Sequence, residues 1–216
     1  MCGFAGYVGE TNIMRDEVVL QLSKMSNKII SRGPDSFGHW SDEKNTVALT
    51  HRRLAILDLT EAGHQPFLSK SGRYVIVYNG EIYNHMNLRG HLKNSNWRGN
   101  SDTETLIEYI DEFGLDKALQ KISGMFAFAL WDRSRNELSL ARDRIGEKPL
   151  YYGWQKDTFL FGSDLSALKE HRNFEAEIDR DSLSSYIRYN YVPTPASIYQ
   201  NIYKLRPGSV LTLKKT

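Results

Sequence analysis

Cys2 stands directly after Met1 and is the single cysteine in a chain of 216 residues. Removal of Met1 would place a thiol and a free α-amine on the same residue. The α-amine has an ordinary pKa of about 8, so much of it is a neutral base near neutral pH. An N-terminal nucleophile that is activated by its own amine is a known catalytic device. The position therefore indicates nucleophilic chemistry, although a lone cysteine is more often a small buried apolar side chain.

Further side chains have the types that hydrolysis of an amino-acid side-chain amide requires. Arg53 can bind an α-carboxylate through two parallel hydrogen bonds. The Asn79 side chain and the Gly80 N–H can donate to an oxyanion, and Asp102 can attract an α-ammonium group. Each also has an ordinary structural explanation: a surface charge for Arg53, a hairpin turn for Asn79-Gly80 and a favourable helix dipole for Asp102. The spacing of Cys2, Arg53, Asn79-Gly80 and Asp102 along the chain does not by itself place them in one site.

Apolar and β-branched runs predict a series of strands along the chain. The run at 73–78 is continuous, which is typical of a strand that is buried on both faces. The first strand would carry Cys2 at its leading end. The predicted strands lie at 4–8, within 46–59, and at 73–78, 125–131, 138–141, 150–153, 158–162 and 210–213.

Helices are predicted where apolar residues recur at spacings of three and four. Ser101 and Glu104 have the spacing of a capping box, so Asp102 would be the first residue after a helix cap. The segment at 32–35 is interpreted as a loop that ends the first helix, and Asn79-Gly80 as a turn that ends a strand. The predicted helices cover 15–30, 84–92, 101–113, 115–122, 164–170 and 181–189.

The composition is that of a globular protein, with 40% hydrophobic and 25% charged residues and a formal net charge of +2. No block of basic residues indicates nucleic acid, and no apolar run reaches the roughly 18 residues of a membrane span. A single cysteine allows no internal disulfide, which predicts a cytoplasmic location. The six histidines lie at no metal-ligand spacing, so no metal is expected. The irregular order of strands and helices, without a linker, favours one α+β domain of stacked layers.

Longer motifs connect the candidate positions. They are Met1-Cys2-Gly3-Phe4-Ala5-Gly6, Arg32-Gly33-Pro34-Asp35, His51-Arg52-Arg53-Leu54-Ala55-Ile56, Gly63-His64-Gln65-Pro66, Asn79-Gly80-Glu81-Ile82-Tyr83-Asn84, Ser101-Asp102-Thr103-Glu104, Gly124-Met125-Phe126-Ala127-Phe128-Ala129-Leu130, Arg142-Asp143-Arg144, Lys148-Pro149-Leu150-Tyr151-Tyr152 and Leu205-Arg206-Pro207-Gly208. They follow one another from the first residue past residue 200. Together they resemble the glutaminase domain of the class II glutamine amidotransferases, in particular that of glutamine-hydrolysing asparagine synthetases. The match is specific because many motifs occur in one order.

The resemblance implies a fold and a set of site residues. The fold is that of the N-terminal nucleophile hydrolases: a four-layer αββα sandwich, α+β in class, with two mainly antiparallel sheets. Cys2 would be the nucleophile after removal of Met1, and Asn79 and Gly80 would form the oxyanion hole. Glutamine would be bound by Arg53 at its α-carboxylate and by Asp102 at its α-ammonium, and the same pocket would be lined by Leu54, Ile56, Asn79, Gly80 and Glu81.

The resemblance also implies a partner domain. Asparagine synthetases continue into an ATP-binding synthetase domain with a Ser-Gly-Gly-x-Asp-Ser phosphate loop, and no such segment occurs in residues 1–216. The 216 residues are therefore expected to be one glutaminase domain without a cofactor of its own, acting with a synthetase domain that uses ATP and Mg²⁺. An excised first domain is favoured over a free-standing one, because residues 186–195 resemble a region that packs on the other domain. The sequence leaves homodimer formation open.

The predicted function is hydrolysis of glutamine to glutamate and ammonia through a Cys2 γ-glutamyl thioester, with the ammonia used to make an amide, asparagine from aspartate in the first instance. One alternative is an amidotransferase that modifies a sugar or another carboxylate. Hydrolysis of a different amide is disfavoured, because the pair of Arg53 and Asp102 suits a free amino acid. A non-catalytic regulatory module is the alternative from another class, and the presence of every candidate residue argues against it.

Overall fold

The computed structural model describes residues 1–9, 13–93 and 96–214. Within these ranges the chain forms eleven strands, six α-helices and a 3-10 turn at Glu61–Gly63. The strands are β1 (Gly3–Val8), β2 (Ser36–Ser41), β3 (Val47–Arg53), β4 (Phe67–Leu68), β5 (Tyr74–Ile82), β6 (Gly124–Asp132), β7 (Glu137–Arg142), β8 (Tyr151–Gln155), β9 (Thr158–Gly162), β10 (Ile202–Lys204) and β11 (Val210–Lys214). The helices are α1 (Arg15–Asn27), α2 (His85–Arg89), α3 (Asp102–Phe113), α4 (Leu115–Lys121), α5 (Leu165–Leu168) and α6 (Arg180–Tyr189).

The strands form two antiparallel sheets. Sheet A has the order β10-β8-β9-β1-β3-β2, and sheet B has the order β11-β7-β6-β5-β4. β1 lies inside sheet A between β3 and β9, and β5 pairs with β6 along its whole length. The strand that follows Cys2 and the strand that carries Asn79 are therefore each fixed by long ladders of backbone hydrogen bonds.

Three hydrophobic clusters define the layers of the molecule. One fills the space between the sheets, with Phe4 and Leu49 from sheet A facing Val77 and Trp131 from sheet B. A second packs the outer face of sheet B against α2, α3 and α4, and a third packs the outer face of sheet A against α1 and α5. Alternate residues of a strand point to opposite faces, so both faces of each sheet are covered by apolar side chains. The predicted αββα sandwich is confirmed.

The prediction of a turn at Asn79-Gly80 is wrong. β5 continues through both residues to Ile82 and pairs Asn79 with Ala127 and Gly80 with Phe126. Glycine fits this point because β6 passes very close: a Cβ on Gly80 would stand 2.2 Å from Met125 O. Pairing with residues 46 to 48 positions away in the chain therefore overrides the local turn preference of the dipeptide.

Other boundaries also differ from the sequence prediction. The strand predicted within 46–59 ends at Arg53, and the residues after it form a loop around the candidate site. Ser101 caps α3 as predicted, its Oγ accepting from Glu104 N at 3.2 Å. The Glu104 carboxylate does not complete a capping box, because it accepts from Arg98 N and Gly99 N at 2.9 and 3.0 Å. β2, β4 and β10 have no counterpart among the predicted strands.

In the parts of the chain that the structure describes, no helix has both the length and the apolar character needed to cross a membrane. The same residues contain no group of three or more His, Cys, Asp or Glu side chains arranged to hold a metal ion.

Candidate active site

Cys2 lies at the start of β1, opposite the end of β3. The ladder pairs Gly3 with Arg52, so the next step of the register sets Cys2 beside Arg53. Leu54 N donates to Cys2 Sγ at 3.4 Å, and Sγ lies 3.6 Å from Leu54 O. The thiol is therefore held where β3 gives way to the loop that follows it.

The surroundings of the thiol favour its protonated form. Burial raises the pKa of Cys2, and the Leu54 N–H, the amino terminus and Arg53 offset part of this effect. The nucleophilic form is the thiolate, so Cys2 needs a nearby base. Met1 lines the same pocket, and its Sδ lies 3.3 Å from Nζ of the buried Lys148. While Met1 is present, the Cys2 nitrogen is an amide and cannot act as that base.

The Asn79 side chain reaches from sheet B across to Cys2. Its amide nitrogen donates to Cys2 O at 3.0 Å, and its amide oxygen accepts from Arg32 Nη2 at 3.3 Å. Arg32 Nε also donates to Cys2 O, at 3.1 Å. A primary amide nitrogen carries two hydrogens, so a second N–H of Asn79 remains for another acceptor. Arg32 thus determines which end of the Asn79 amide can act as a donor.

The direction of the Gly80 N–H follows from the hydrogen-bond phase of β5. In an antiparallel pair, alternate residues exchange hydrogen bonds with the partner strand. Tyr83 N, just beyond β5, donates to Ser123 O on the β6 side at 2.7 Å, which assigns the odd-numbered residues to the ladder with β6. Gly80 is even-numbered, so its N–H points away from β6.

The edge of β5 toward which Gly80 N–H points is the edge that borders the pocket. Tyr78 N, two residues before, donates to Gln65 Oε1 at 2.7 Å. Ile82 N, two residues after, donates to Asp102 Oδ2 at 2.9 Å. Gln65, Asp102 and Gly80 all line one pocket. The Gly80 N–H therefore lies between two occupied donors and is directed toward the cavity, as an oxyanion donor must be.

Arg53 is the last residue of β3, and its guanidinium is held by the loop that follows. Nη1 donates to Thr60 O at 2.7 Å, and Nη2 donates to Asp58 O. Gly63 packs against the same group, since a Cβ at that position would stand 2.1 Å from Nη2. A guanidinium has five N–H donors, so these two bonds fix its direction and leave donors for a carboxylate in the pocket.

Asp102 is the first residue of α3, and its carboxylate is buried. Oδ2 accepts from Tyr78 Oη at 2.7 Å and from Ile82 N at 2.9 Å. Burial raises the pKa of Asp102, and the hydrogen bonds from Tyr78 and Ile82 lower it in part. Arg53 and Asp102 line the same cavity, so a cation and an anion face one space.

α1 ends at Asn27, before the predicted end at residue 30, and the loop at 32–35 beyond it contributes to the site. Gly33 lies so close to β3 that a Cβ would stand 2.4 Å from Arg52 O, and Asp35 Oδ2 accepts from Ala55 N at 2.8 Å. Together with the bonds of Arg32 to Cys2 and Asn79, these contacts brace both sides of the thiol. The residue types at 32–35 also suit an ordinary turn, so no local signal in the sequence separates the two roles.

The structure brings every predicted site residue to one pocket. Residues to which sequence reasoning gave no role in the site belong to the same assembly, and some are placed there by contacts between distant parts of the chain, such as that of Lys148 with Met1 and that of Tyr78 with Asp102. The predicted residues that line the pocket are Cys2, Arg53, Leu54, Ile56, Asn79, Gly80, Glu81 and Asp102; further lining residues are Met1, Leu57, Asp58, Gly63, Gln65, Tyr78, Ser101, Thr103, Met125 and Lys148.

Two facing antiparallel sheets between layers of helices, with the candidate nucleophile at the start of an inner strand, constitute an N-terminal nucleophile hydrolase fold. The glutamine phosphoribosylpyrophosphate amidotransferase of Bacillus subtilis, solved with ADP and GMP, matches with a TM-score of 0.66 at 21% identity, over 78% of this chain and 43% of that one. A solved structure described as the allosteric regulatory enzyme of purine biosynthesis matches with a TM-score of 0.72 at 19% identity, over 99% and 47%. These likenesses concern the fold alone.

The chain belongs to the glutamine amidotransferase domain family, whose model matches residues 1–216. The predicted family resemblance is thereby confirmed. Glutamine-hydrolysing asparagine synthetase 1 of Bacillus subtilis is 36% identical over 220 residues, which cover 99% of this chain and 34% of the relative. Glutamine-hydrolysing asparagine synthetase 3 of the same organism is also 36% identical, over all of this chain and 35% of the relative. The chain spans about a third of the length of these relatives.

Proposed function

We propose that the chain is the glutaminase domain of a glutamine-dependent amidotransferase and hydrolyses L-glutamine to L-glutamate and ammonia. The observation that carries the proposal is the single pocket that joins a buried thiol, a fixed guanidinium and a buried carboxylate. Such a pocket suits a substrate with an α-carboxylate, an α-ammonium and a side-chain amide. Membership of the glutamine amidotransferase domain family supports the same substrate.

The first half-reaction requires the free α-amine of Cys2. The amine takes the thiol proton, and the thiolate attacks the amide carbon of glutamine. The carbonyl oxygen becomes an oxyanion that accepts hydrogen bonds from Gly80 N–H and the Asn79 side chain. The Cys2 ammonium then returns the proton to the leaving nitrogen. The C–N bond breaks, ammonia leaves, and a γ-glutamyl thioester remains on Cys2.

Water completes the cycle. The Cys2 amine removes a proton from a water molecule, and the oxygen attacks the thioester carbon. The same donors stabilise the second oxyanion, and the C–S bond breaks as the thiolate takes the proton from the ammonium. Throughout both steps Arg53 and Asp102 hold the α-groups, so the amide carbon stays in line with Sγ.

The direct test is incubation of the purified chain with L-glutamine after mass spectrometry has shown that Cys2 is the first residue. Glutamate and ammonia should appear in equal amounts, and an acid quench during turnover should trap the chain with a glutamyl group on Cys2. A Cys2→Ala variant is the control for contaminating glutaminase. Turnover no greater than that of Cys2→Ala would reject the proposal.

Arg53→Ala is expected to raise KM for glutamine by about tenfold or more and to change kcat little, because it removes a charge-assisted contact present in both the ground and transition states. Gly63→Ala should act in the same direction, since its Cβ would meet Arg53 Nη2 at 2.1 Å. Arg133→Ala is the matched control, because the Arg133 guanidinium donates to Gly72 O outside the pocket. A fall in kcat at unchanged KM in steady-state assays would show that Arg53 has a different role.

Glutamine binding is expected to weaken as the pH falls, and the weakening should begin at a pH above the ordinary range of aspartate pKa values. Burial raises the pKa of Asp102 above its ordinary value of 3.8, so Asp102 takes up a proton at a higher pH than an exposed aspartate does. The neutral carboxyl no longer balances the substrate ammonium, so Kd should rise below the raised pKa and stay flat from that pKa through the neutral range, where the substrate keeps its ammonium. Calorimetry on Cys2→Ala, which binds without turnover, measures this. Cys2→Ala/Asp102→Asn should bind weakly at every pH, and a Kd for Cys2→Ala that stays flat down to pH 3.8 would contradict the assignment.

The ammonia is proposed to pass to a carboxylate that is activated with ATP and Mg²⁺ in a synthetase domain of a longer protein. Asparagine, made from aspartate, is the favoured product because the Bacillus subtilis relatives are named asparagine synthetases and are about three times as long as this chain. A sugar or another carboxylate is the alternative acceptor. Assaying the protein that contains both domains for amide formation from each candidate acceptor distinguishes them.

A further inference from the structure

Asp58 is buried beside the pocket, and its carboxylate joins two segments that lie 42 residues apart in the sequence. Oδ1 accepts from Thr60 N at 2.8 Å and from Thr60 Oγ1 at 2.6 Å. Oδ2 accepts from Asn100 N at 2.8 Å. Gly99 makes room for this contact, since a Cβ there would stand 2.3 Å from Oδ2.

Each of the two segments controls one charged group of the pocket. The segment 58–60 holds the guanidinium of Arg53 through the backbone carbonyls of Asp58 and Thr60. The other segment, at 99–100, leads directly into α3, whose first residue is Asp102. A single carboxylate therefore connects the loop that aims the cation with the backbone that delivers the anion.

We propose that Asp58 is a positioning residue that sets the distance between Arg53 and Asp102, and so makes the pocket selective for an amide that carries both an α-carboxylate and an α-ammonium. The inference rests on the proposed function, because it names what determines selectivity at the same site. Binding both substrate groups at once requires the cation and the anion at one fixed separation, and a loop that shifts by even an ångström loses this geometry.

The charge on Asp58 suits this role. The hydrogen bond from Thr60 lowers the pKa of Asp58, and the Asn100 and Thr60 N–H groups and the charge of Arg53 lower it further against the opposing effect of burial. The carboxylate is therefore ionised throughout the neutral range. Hydrogen bonds to an ionised acceptor are stronger than those between neutral groups. The Asp58 carboxylate therefore holds the segments 58–60 and 99–100 together more strongly than a neutral side chain would.

The test compares Asp58→Asn with the unmodified chain on three amides. L-Glutamine has both α-groups, glutarate monoamide lacks the ammonium, and 4-aminobutanamide lacks the carboxylate. For glutamine, kcat/KM should fall by about tenfold or more through KM, the scale of a lost hydrogen bond to a charged group. Each truncated amide uses only one of the two charged groups, so its kcat/KM should change by less than about threefold, as for substitutions without a specific partner.

Asp42→Asn is the matched control. The Asp42 carboxylate accepts from Thr46 N, Thr46 Oγ1 and Val47 N at 2.6, 2.7 and 2.9 Å, a similar set of donors outside the glutamine pocket. A merely structural role for Asp58 predicts an equal loss of kcat/KM on all three amides.

Thr60→Val is a milder second variant, because it removes one donor to Asp58 and keeps the charge of Asp58. It should lower the selectivity for glutamine in the same direction as Asp58→Asn.

A binding measurement separates this inference from the proposed function. In the Cys2→Ala background, Asp58→Asn should raise the Kd for L-glutamine about tenfold or more and leave the Kd for glutarate monoamide within about threefold. If these Kd changes are found but the unmodified chain turns over no glutamine, the proposed function is rejected and the role of Asp58 is retained. Equal weakening for both ligands, or an unchanged preference for glutamine in every Asp58 and Thr60 variant, would overturn the role of Asp58.

Discussion

A chain with an uncleaved residue or tag ahead of Cys2 is expected to lose glutamine hydrolysis by about 10³-fold or more, because the proposed general base is lost and general bases contribute roughly 10² to 10⁴. Burial raises the pKa of the Cys2 thiol, so little thiolate forms unaided at neutral pH. An amide nitrogen ahead of Cys2 cannot take the thiol proton. Retained Met1 adds a steric cost, since it lines the pocket that the substrate must enter.

The measurement uses one preparation assayed before and after a protease removes the tag to leave Cys2 first. Activity should appear with cleavage and follow the fraction of cleaved chain seen by mass spectrometry. Cleaved Cys2→Ala is the matched control and should stay inactive. The kcat/KM of the cleaved chain should also fall with decreasing pH through the pKa of an α-amine, about 8 in the ordinary case. Equal activity before and after cleavage would show that the base lies elsewhere.

Much of the fold could be predicted from local pattern. The strand at 158–162 is found with the predicted bounds as β9, and the helix predicted at 181–189 is α6 with one more residue at its start. These segments have clear periodicity or capping residues, so their local preference agrees with their tertiary environment. β2 could not be predicted in this way, because its sequence Ser-Phe-Gly-His-Trp-Ser is only partly buried and lacks a clean apolar alternation.

The residues of the candidate site also divide into those that the sequence identifies and those that only the tertiary structure reveals. Residue chemistry suggested Cys2, Arg53 and Asp102, and the family resemblance connected them. The roles of the supporting residues could not be assigned, because those roles depend on contacts between distant parts of the chain. Arg32 reaches Cys2 across 30 positions, and Asp58 reaches Asn100 across 42. Neither has a periodicity or spacing that separates it from an ordinary loop residue.

Asn79 shows how a local sequence signal and the tertiary structure can disagree. Its neighbour Gly80 makes the dipeptide a strong turn signal, yet both residues lie within β5. Only the strand geometry gives them their function, because alternation sends the Asn79 side chain to the face between the sheets and directs the Gly80 N–H to the open edge of β5. A hairpin turn would place neither group beside Cys2.

Asn79→Ala is expected to lower kcat for glutamine by about 10² to 10³ with little change in KM, the effect measured for a single oxyanion-hole donor in other enzymes. The side chain would contact the oxygen only after charge develops on it, so the loss falls on the transition state. Arg32→Met should lower kcat by a smaller factor, because the Asn79 amide remains but loses the bond to Arg32 Nη2 that orients it.

Asn79→Ala also removes a hydrogen bond to Cys2 O, and a displaced thiol would lower kcat as well. Alkylation of Cys2 by iodoacetamide separates the two causes, since displacement at a saturated carbon forms no oxyanion. If Asn79 acts on the oxyanion, the alkylation rate of Asn79→Ala should stay within about threefold of the unmodified chain while turnover falls by about 10² or more. A parallel fall in both rates would assign Asn79 to holding Cys2 in place and leave the Gly80 N–H as the principal oxyanion donor.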